Sequence, residues 1–227
     1  MSMANFYVNP EQLVREKADF ARRNIARGRP LVATIFPGGI LLATENTSPT
    51  LYKISEIYDR IAFAGVGMYS EFDTMRRAGV QHADVKGYQF SREDVEARSL
   101  ANLYAQALHG IFTHEIKPYE IEILVAEVGG EVGDDLLYRI QYDGSLVEER
   151  RFAILGGESE TIAEHMEESF TDTWELRDAL RASVAALSGP DRTIPAPDLE
   201  VAVLDRGVPG RAFRRVADPE VAGLLTD

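Results

Sequence analysis

The fold is decided by the stretch Leu31-Val32-Ala33-Thr34-Ile35-Phe36-Pro37-Gly38-Gly39-Ile40-Leu41-Leu42-Ala43-Thr44-Glu45. Two apolar, β-rich runs flank a Pro-Gly-Gly segment, and this pattern predicts a β-hairpin. Neither run alternates apolar with polar residues, as a strand with one face in solvent would. We therefore expect a sheet that is buried on both faces.

A helix is predicted immediately upstream, over residues 9–28. Asn9 is a favourable N-cap, Pro10 suits the first helical position, and Gly28 and Pro30 end the pattern. One apolar stripe runs along this segment, formed by Val14, Ala18, Ala21 and Ile25. A helix with such a stripe must lie against the rest of the molecule.

Downstream, strands and helices occur in batches. Strands are predicted at 51–58, 61–66, 121–128, 136–142, 151–155, 199–204 and 212–216, and Asp143-Gly144 is expected to join the fourth of these to the fifth. Capping-box spacings at Ser70 with Asp73 and at Ser91 with Asp94 predict the starts of one helix pair. A second pair is expected at about 160–170 and 173–187, followed by a Pro-rich loop over 188–198 and one or two helical turns near 218–225.

This order favours an α+β fold rather than a doubly wound parallel sheet, which would alternate single strands and helices. We expect a four-layer α-β-β-α sandwich, with two antiparallel sheets face to face and a helix pair on each outer side. Residues 1–227 are expected to form a single domain, since one core can serve roughly 250 residues.

Composition excludes several classes of function. The 227 residues carry a formal net charge of -13, which argues against a nucleic-acid partner. Cysteine is absent, so disulfides, thiolate catalysis and cysteine-held metals are excluded. No segment resembles a secretory signal or a membrane span, and we expect a cytoplasmic protein with no membrane contact.

The charge is distributed unevenly. Residues 1–35 carry net +3 and the remainder -16. The basic residues of the N-terminal block either line a solvated helix face or meet an acidic partner or a free carboxylate. They are Arg15, Lys17, Arg22, Arg23, Arg27 and Arg29.

Motifs for cofactors and metals are weak. Gly65-Val66-Gly67 lacks the third glycine of a dinucleotide-binding turn, because Ser70 stands there. The four histidines lack metal-ligand spacing, so neither a metal nor a cofactor is expected. Lys53 interrupts a short apolar strand and is either a surface residue or a functional one.

The sequence resembles bacterial proteasome α-subunits of the actinobacterial type over nearly the whole chain. No single motif decides this resemblance; it rests on the order and spacing of several stretches. They are Asn9-Pro10-Glu11-Gln12-Leu13, Arg22-Arg23-Asn24-Ile25-Ala26-Arg27-Gly28, Gly38-Gly39-Ile40-Leu41-Leu42-Ala43-Thr44-Glu45-Asn46, Lys53-Ile54-Ser55-Glu56-Ile57-Tyr58-Asp59-Arg60, Tyr69-Ser70-Glu71-Phe72-Asp73, Lys117-Pro118-Tyr119-Glu120 and Leu199-Glu200-Val201-Ala202-Val203-Leu204-Asp205. The family's fold is the α-β-β-α sandwich of N-terminal nucleophile hydrolases.

The resemblance implies a subunit that is catalytically silent by itself. Catalytic β-subunits of this family begin at a threonine nucleophile and use an aspartate and a lysine beside it. In this chain Arg29 and Glu45 take the places of the threonine and the aspartate, and only Lys53 matches. The alternatives are a self-standing threonine-type hydrolase with an unrecognised cleavage site, and a small-molecule-binding module that uses the Gly65-Val66-Gly67 turn.

The resemblance also implies an assembly and its partners. Seven copies would form a ring that caps rings of β-subunits in an α7β7β7α7 core, which degrades proteins tagged with a small protein modifier of the Pup type. An activator, either a hexameric AAA ATPase or an ATP-independent ring, would insert its C-terminal tails into pockets between α-subunits. The pocket positions are Lys53, Arg27, Gly28 and Met68.

The first eight residues would close the central pore of that ring. Residues of this gate segment, with the proline on which it would turn, are Met1, Ser2, Met3, Phe6, Tyr7, Val8 and Pro10. The Tyr-Asp-Arg gate sequence of archaeal and eukaryotic relatives is absent.

Overall fold

The structure, a computed structural model, describes residues 9–226. Its strands form two five-stranded antiparallel sheets, and helices cover the outer face of each. The helices are α1 (Pro10–Ile25), α2 (Tyr69–Gln89), α3 (Ala97–His114), α4 (Ser159–Ser169), α5 (Leu176–Ser188) and α6 (Asp218–Leu225). The strands are β1 (Leu31–Phe36), β2 (Gly39–Glu45), β3 (Ile54–Tyr58), β4 (Ile61–Gly67), β5 (Ile121–Glu127), β6 (Leu136–Ile140), β7 (Leu146–Glu149), β8 (Phe152–Leu155), β9 (Leu199–Asp205) and β10 (Phe213–Arg215).

The predicted hairpin of β1 and β2 is confirmed and lies inside the first sheet, whose strand order is β10-β9-β2-β1-β8. Its register pairs Leu31 with Thr44 and Phe36 with Gly39. Gly39 has φ of +146°, and a Cβ there would lie 1.9 Å from the carbonyl oxygen of Leu204. Only glycine fits where the turn passes this close to β9.

The second sheet has the order β3-β4-β5-β6-β7 and packs face to face on the first. Alternate residues of β1 explain how one strand serves two layers, since successive side chains of a strand point to opposite faces. Leu31, Ala33 and Ile35 join the core between the sheets, whereas Val32 and Phe36 join the core beneath the helices. The expectation of a sheet buried on both faces is therefore confirmed.

Each outer face is covered by a helix pair. Helices α4 and α5 contribute Met166 and Leu180 to the core on the first sheet, and α2 and α3 contribute Met75 and Tyr104 to the core on the second. This arrangement confirms the predicted α-β-β-α sandwich. Within residues 9–226, none of the helices has the length and apolar character needed to cross a lipid bilayer.

One predicted strand connection is wrong. The turn at Asp143-Gly144 joins β6 to β7, a short strand over Leu146–Glu149 that the sequence patterns missed. Strand β8 follows after two residues but belongs to the other sheet, where it pairs with β1. The turn residues determine that a hairpin forms, but they do not determine where the returning strand ends.

Two predicted helix starts are also wrong, and the N-terminal helix ends early. Helix α2 begins at Tyr69, and Met68, its N-cap, makes no side-chain cap bond. Ser91 caps a short 3-10 helix over Arg92–Asp94, and α3 starts only at Ala97. Helix α1 ends at Ile25, with Gly28 in the turn that follows.

The two ends of the sandwich differ. At the end of the β1–β2 turn, Arg206 bridges the sheets: its guanidinium pairs with the buried Asp135 at 2.5 Å and also donates to the carbonyls of Pro37 and Gly129. At the opposite end, where β2 finishes at Glu45, the segment that leaves α1 passes close to the ends of β4 and β8. The candidate site lies at this second end.

Candidate functional site

Lys53 is the centre of the site and stands one residue before β3. Its backbone is fixed on both sides: its carbonyl accepts from Gly65 N at 3.0 Å, and its N–H donates to Glu200 Oε2 at 2.9 Å. The other oxygen of Glu200 accepts from Ile54 N at 2.9 Å. Lys53 is thereby held at the junction between the two sheets, because Glu200 belongs to β9 and Gly65 to β4.

The Lys53 ammonium group is surrounded by uncharged acceptors. Nζ donates to the carbonyl oxygens of Arg29 at 3.1 Å and Glu45 at 3.2 Å, and to Thr44 Oγ1 at 3.4 Å. Among residues 9–226, no carboxylate oxygen lies within 4.0 Å of Nζ. Burial lowers the pKa of Lys53 to about 8, although the charges of Glu200 and Glu45 act in the opposite direction and only Arg29 adds to the lowering.

Glu200 organises the entry of the chain into β3. Besides the two backbone N–H groups, its carboxylate accepts from Asn46 Nδ2 at 2.7 Å and from Arg215 Nη1 at 2.9 Å. Arg215 in turn lies over the ring of Tyr52, 3.9 Å from its centroid. The negative charge of Glu200 is thus satisfied by four donors, so a buried carboxylate is tolerated here.

Glu45, at the end of β2, holds two arginines from distant parts of the chain. Its Oε2 lies 3.4 Å from Arg29 Nη1 and 2.7 Å from Arg192 Nη1. The Glu45 side chain is 10% exposed, against 59% for Arg29 and 42% for Arg192. The carboxylate therefore lies beneath the two guanidinium groups, which face solvent.

The other predicted pocket residues cluster only in part. A Cβ on Gly28 would lie 2.9 Å from Val66 Cγ1 and 3.4 Å from Gly67 N, so the turn after α1 lies directly against the end of β4. Met68 follows Gly67 and is 44% exposed. The structure therefore brings Gly28 close to Met68, and Arg29 connects Gly28 to Lys53.

The side chain of Arg27, the fourth predicted pocket residue, hydrogen-bonds within its own turn rather than to the other residues of this cluster. Its side chain is exposed, and Nη1 donates to Asn24 Oδ1 of the same turn at 3.4 Å. Pro10 occupies the first position of α1, as predicted. The remaining gate residues Met1, Ser2, Met3, Phe6, Tyr7 and Val8 lie outside the described residues.

Helix α1 contacts the end of α3, one of the two helices that cover the second sheet. Lys17 Nζ donates to the carbonyls of Glu115 at 2.6 Å and Phe112 at 3.1 Å, just where α3 ends. Ala21 and Ile25 are buried against Tyr142. These contacts fix the C-terminal half of α1, and thereby the position of Arg29 relative to Lys53.

Two residues of the site were missed by the sequence patterns. Glu200 and Arg192 are far from Lys53 along the chain, and each lies in a segment whose local pattern indicates only a strand or a loop. The pairing of β2 with β9 places Glu200 opposite Thr44. A glutamate within the otherwise apolar run over 199–204 is the sequence signal that could have identified Glu200, whereas none pointed to Arg192.

Two face-to-face antiparallel sheets between helix pairs, with a lysine beside the residues that precede β1, define the class of N-terminal nucleophile hydrolase folds. Residues 25–191 match the family described as "Proteasome subunit". The chain is 54% identical over 99% of its length to "Proteasome subunit alpha" of Sanguibacter keddieii, covering 90% of that protein. It is 52% identical over its whole length to the protein of the same name from Acidimicrobium ferrooxidans, covering 97% of it. The chain belongs to the proteasome subunit family and, within it, to the alpha type.

Proposed function

We propose that this chain is a non-catalytic subunit of the outer ring of a proteasome core, where it gates substrate entry and docks the C-terminal tails of an activator. The observation that carries the docking role is the half-buried Lys53 ammonium, which has only uncharged acceptors around it. A carboxylate that reached it would form a charge-assisted bond, worth roughly 1.5–3 kcal/mol.

The residues around Lys53 support the proposed absence of catalysis. A threonine nucleophile of this family uses its own free amine as base, so nothing can precede it. Arg29 occupies that place and is preceded by α1, whose last turn is hydrogen-bonded into the segment before β1. By this resemblance, Lys53 keeps the position of the catalytic lysine, while arginine and not threonine stands at the position of the nucleophile.

The partners of the proposed assembly are further copies of this chain in a heptameric ring, β-subunits in an α7β7β7α7 core, and a hexameric AAA ATPase or ATP-independent activator ring. The substrates would be proteins tagged with a Pup-type modifier in the cytoplasm. The relatives' shared name supports the proteasome assembly, and residues 1–8, preceding Pro10, are proposed as the gate.

The docking role is tested with Lys53→Met in the reconstituted core. We expect the variant to assemble normally and to lose stimulation of peptide hydrolysis by the activator, because the tail carboxylate loses its cation. Lys53→Arg, which keeps the charge, should retain part of the stimulation. Arg211→Gln is the matched control, since Arg211 pairs with Glu56 away from the site. Full stimulation of the Lys53→Met core would refute the docking role.

A further inference from the structure

Beside Lys53, the charges of the site do not balance. Arg29 and Arg192 both pair with the carboxylate of Glu45, and Lys53 Nζ donates to the backbone carbonyl oxygen of the same residue, so three cations share one nearby carboxylate. The neighbouring Glu200 does not make up the difference, because its charge is already paired with Arg215. The local excess is two positive charges, which raises the affinity of the site for anions.

The excess positive charge lies on the solvent side of Glu45. The Glu45 side chain is 10% exposed, whereas those of Arg29 and Arg192 are 59% and 42% exposed. Arg192 Nη2 also donates to the carbonyl of Leu187 at 3.2 Å, so the last turn of α5 holds this guanidinium in a fixed orientation. Arginines oriented in this way present planar N–H groups that suit a carboxylate.

We infer that Arg29 and Arg192, held over Glu45, form a second carboxylate-binding site next to Lys53, which receives an acidic group of the same activator tail. The inference rests on the proposed docking function. It adds a specificity element: a tail with two carboxylates, its terminus and an acidic side chain near it, fits the three cations better than a tail with one.

The terminal carboxylate and an acidic side chain have the same chemistry, so the test must separate them. The probes are a fluorescein-labelled peptide that has one glutamate near a free C-terminus, the same peptide with a C-terminal amide, and the same peptide with glutamine for glutamate. Dissociation constants are measured by fluorescence anisotropy on the assembled core and on cores that carry Arg192→Gln, Lys53→Met or the control Arg211→Gln.

We expect Arg192→Gln to weaken binding of the parent peptide by about tenfold, as for loss of one charge-assisted bond. A double-mutant cycle then compares the cost of each peptide alteration on the parent core and on the Arg192→Gln core. The alteration that costs less affinity on the Arg192→Gln core is the one that removes the carboxylate bound by Arg192. The Arg211→Gln core should bind like the parent.

The second carboxylate site and the docking function of Lys53 can be refuted separately. If Lys53→Met weakens binding but Arg192→Gln leaves all three dissociation constants unchanged, the second site is refuted and the docking function stands. If Lys53→Met also leaves them unchanged, the docking function itself is refuted. Native mass spectrometry of each core verifies that the rings are intact.

Discussion

The Nζ atom of Lys53 donates a hydrogen bond to the carbonyl oxygen of Arg29 at 3.1 Å. This bond joins the proposed docking site to the segment that leaves α1, the helix that follows residues 1–8. A carboxylate that draws the ammonium toward itself competes with the carbonyl of Arg29 for it. A tail carboxylate bound at Lys53 would therefore affect a hydrogen bond to the backbone that connects α1 to β1.

The titration of Lys53 predicts how docking depends on pH. Because burial lowers the pKa of Lys53 to about 8, the free site loses its charge as the pH rises through 8. A bound carboxylate raises this pKa, so the dissociation constant of a tail peptide should be flat below pH 7. It should then rise toward tenfold per pH unit above pH 8. Fluorescence anisotropy on the assembled core across pH 6–10 measures this.

Lys53→Arg provides the control for this pH dependence. Arginine stays protonated throughout the range, so the affinity of that core should change little with pH. An equally steep loss of affinity in the Lys53→Arg core would show that another group titrates.

The fold was predictable from the sequence because its decisive features are local. The hairpin at Pro37-Gly38-Gly39 and the unbroken apolar runs beside it require layers on both sides; the second sheet supplies one of these layers and the helix pair of α4 and α5 the other. The end of the β6–β7 hairpin was not predictable in this way. The return of the chain to the first sheet at Phe152 depends on pairing with β1, a contact between residues far apart in sequence.

The residues of the candidate site were predictable only in part, because some of them meet only through contacts between distant parts of the chain. Lys53 and Gly28 could be assigned from a family resemblance, whereas Arg192 reaches Glu45 across 147 residues of chain. Its loop has no pattern that indicates a partner. Side chains that meet only through tertiary structure leave no periodic signal in one sequence.

Removal of residues 1–8 should open the pore of the assembled core. We expect basal hydrolysis of a fluorogenic peptide to rise severalfold without activator, because the proposed gate no longer obstructs entry. The rise should persist when Lys53→Met is added, since an open pore needs no docking signal. Unchanged basal hydrolysis in a correctly assembled core would show that these residues are not the gate.

The buried pair of Asp135 and Arg206 should contribute strongly to stability. Asp135→Asn leaves the Arg206 guanidinium, whose side chain is 13% exposed, without its carboxylate. Removing one partner of a buried pair costs about 3–5 kcal/mol. Urea unfolding of the purified chain measures this loss. The exposed pair of Arg151 and Glu167 is the control, and Glu167→Gln should cost less than about 1 kcal/mol. Equal losses in the two variants would contradict this assignment.

Gly79 of α2 packs so closely on Tyr104 of α3 that a larger side chain should not fit at position 79. A Cβ on Gly79 would lie 1.7 Å from the Tyr104 hydroxyl oxygen, which is buried and, within residues 9–226, has no hydrogen-bond partner. Alanine is normally favoured over glycine in a helix by about 1 kcal/mol, yet Gly79→Ala should destabilise the chain because overpacking costs about 1–3 kcal/mol.

Tyr104→Phe tests the cause of that loss. By itself it removes an unpaired buried hydroxyl and should leave stability unchanged or slightly higher. Combined with Gly79→Ala it should recover about 1 kcal/mol of the loss, because the closest contact, with the hydroxyl oxygen, is gone and only the ring carbon Cζ remains, at 2.7 Å from the new Cβ. Thermal unfolding of the two single variants and the double variant gives this coupling. Strict additivity would show that the alanine is rejected by something other than the tyrosine hydroxyl.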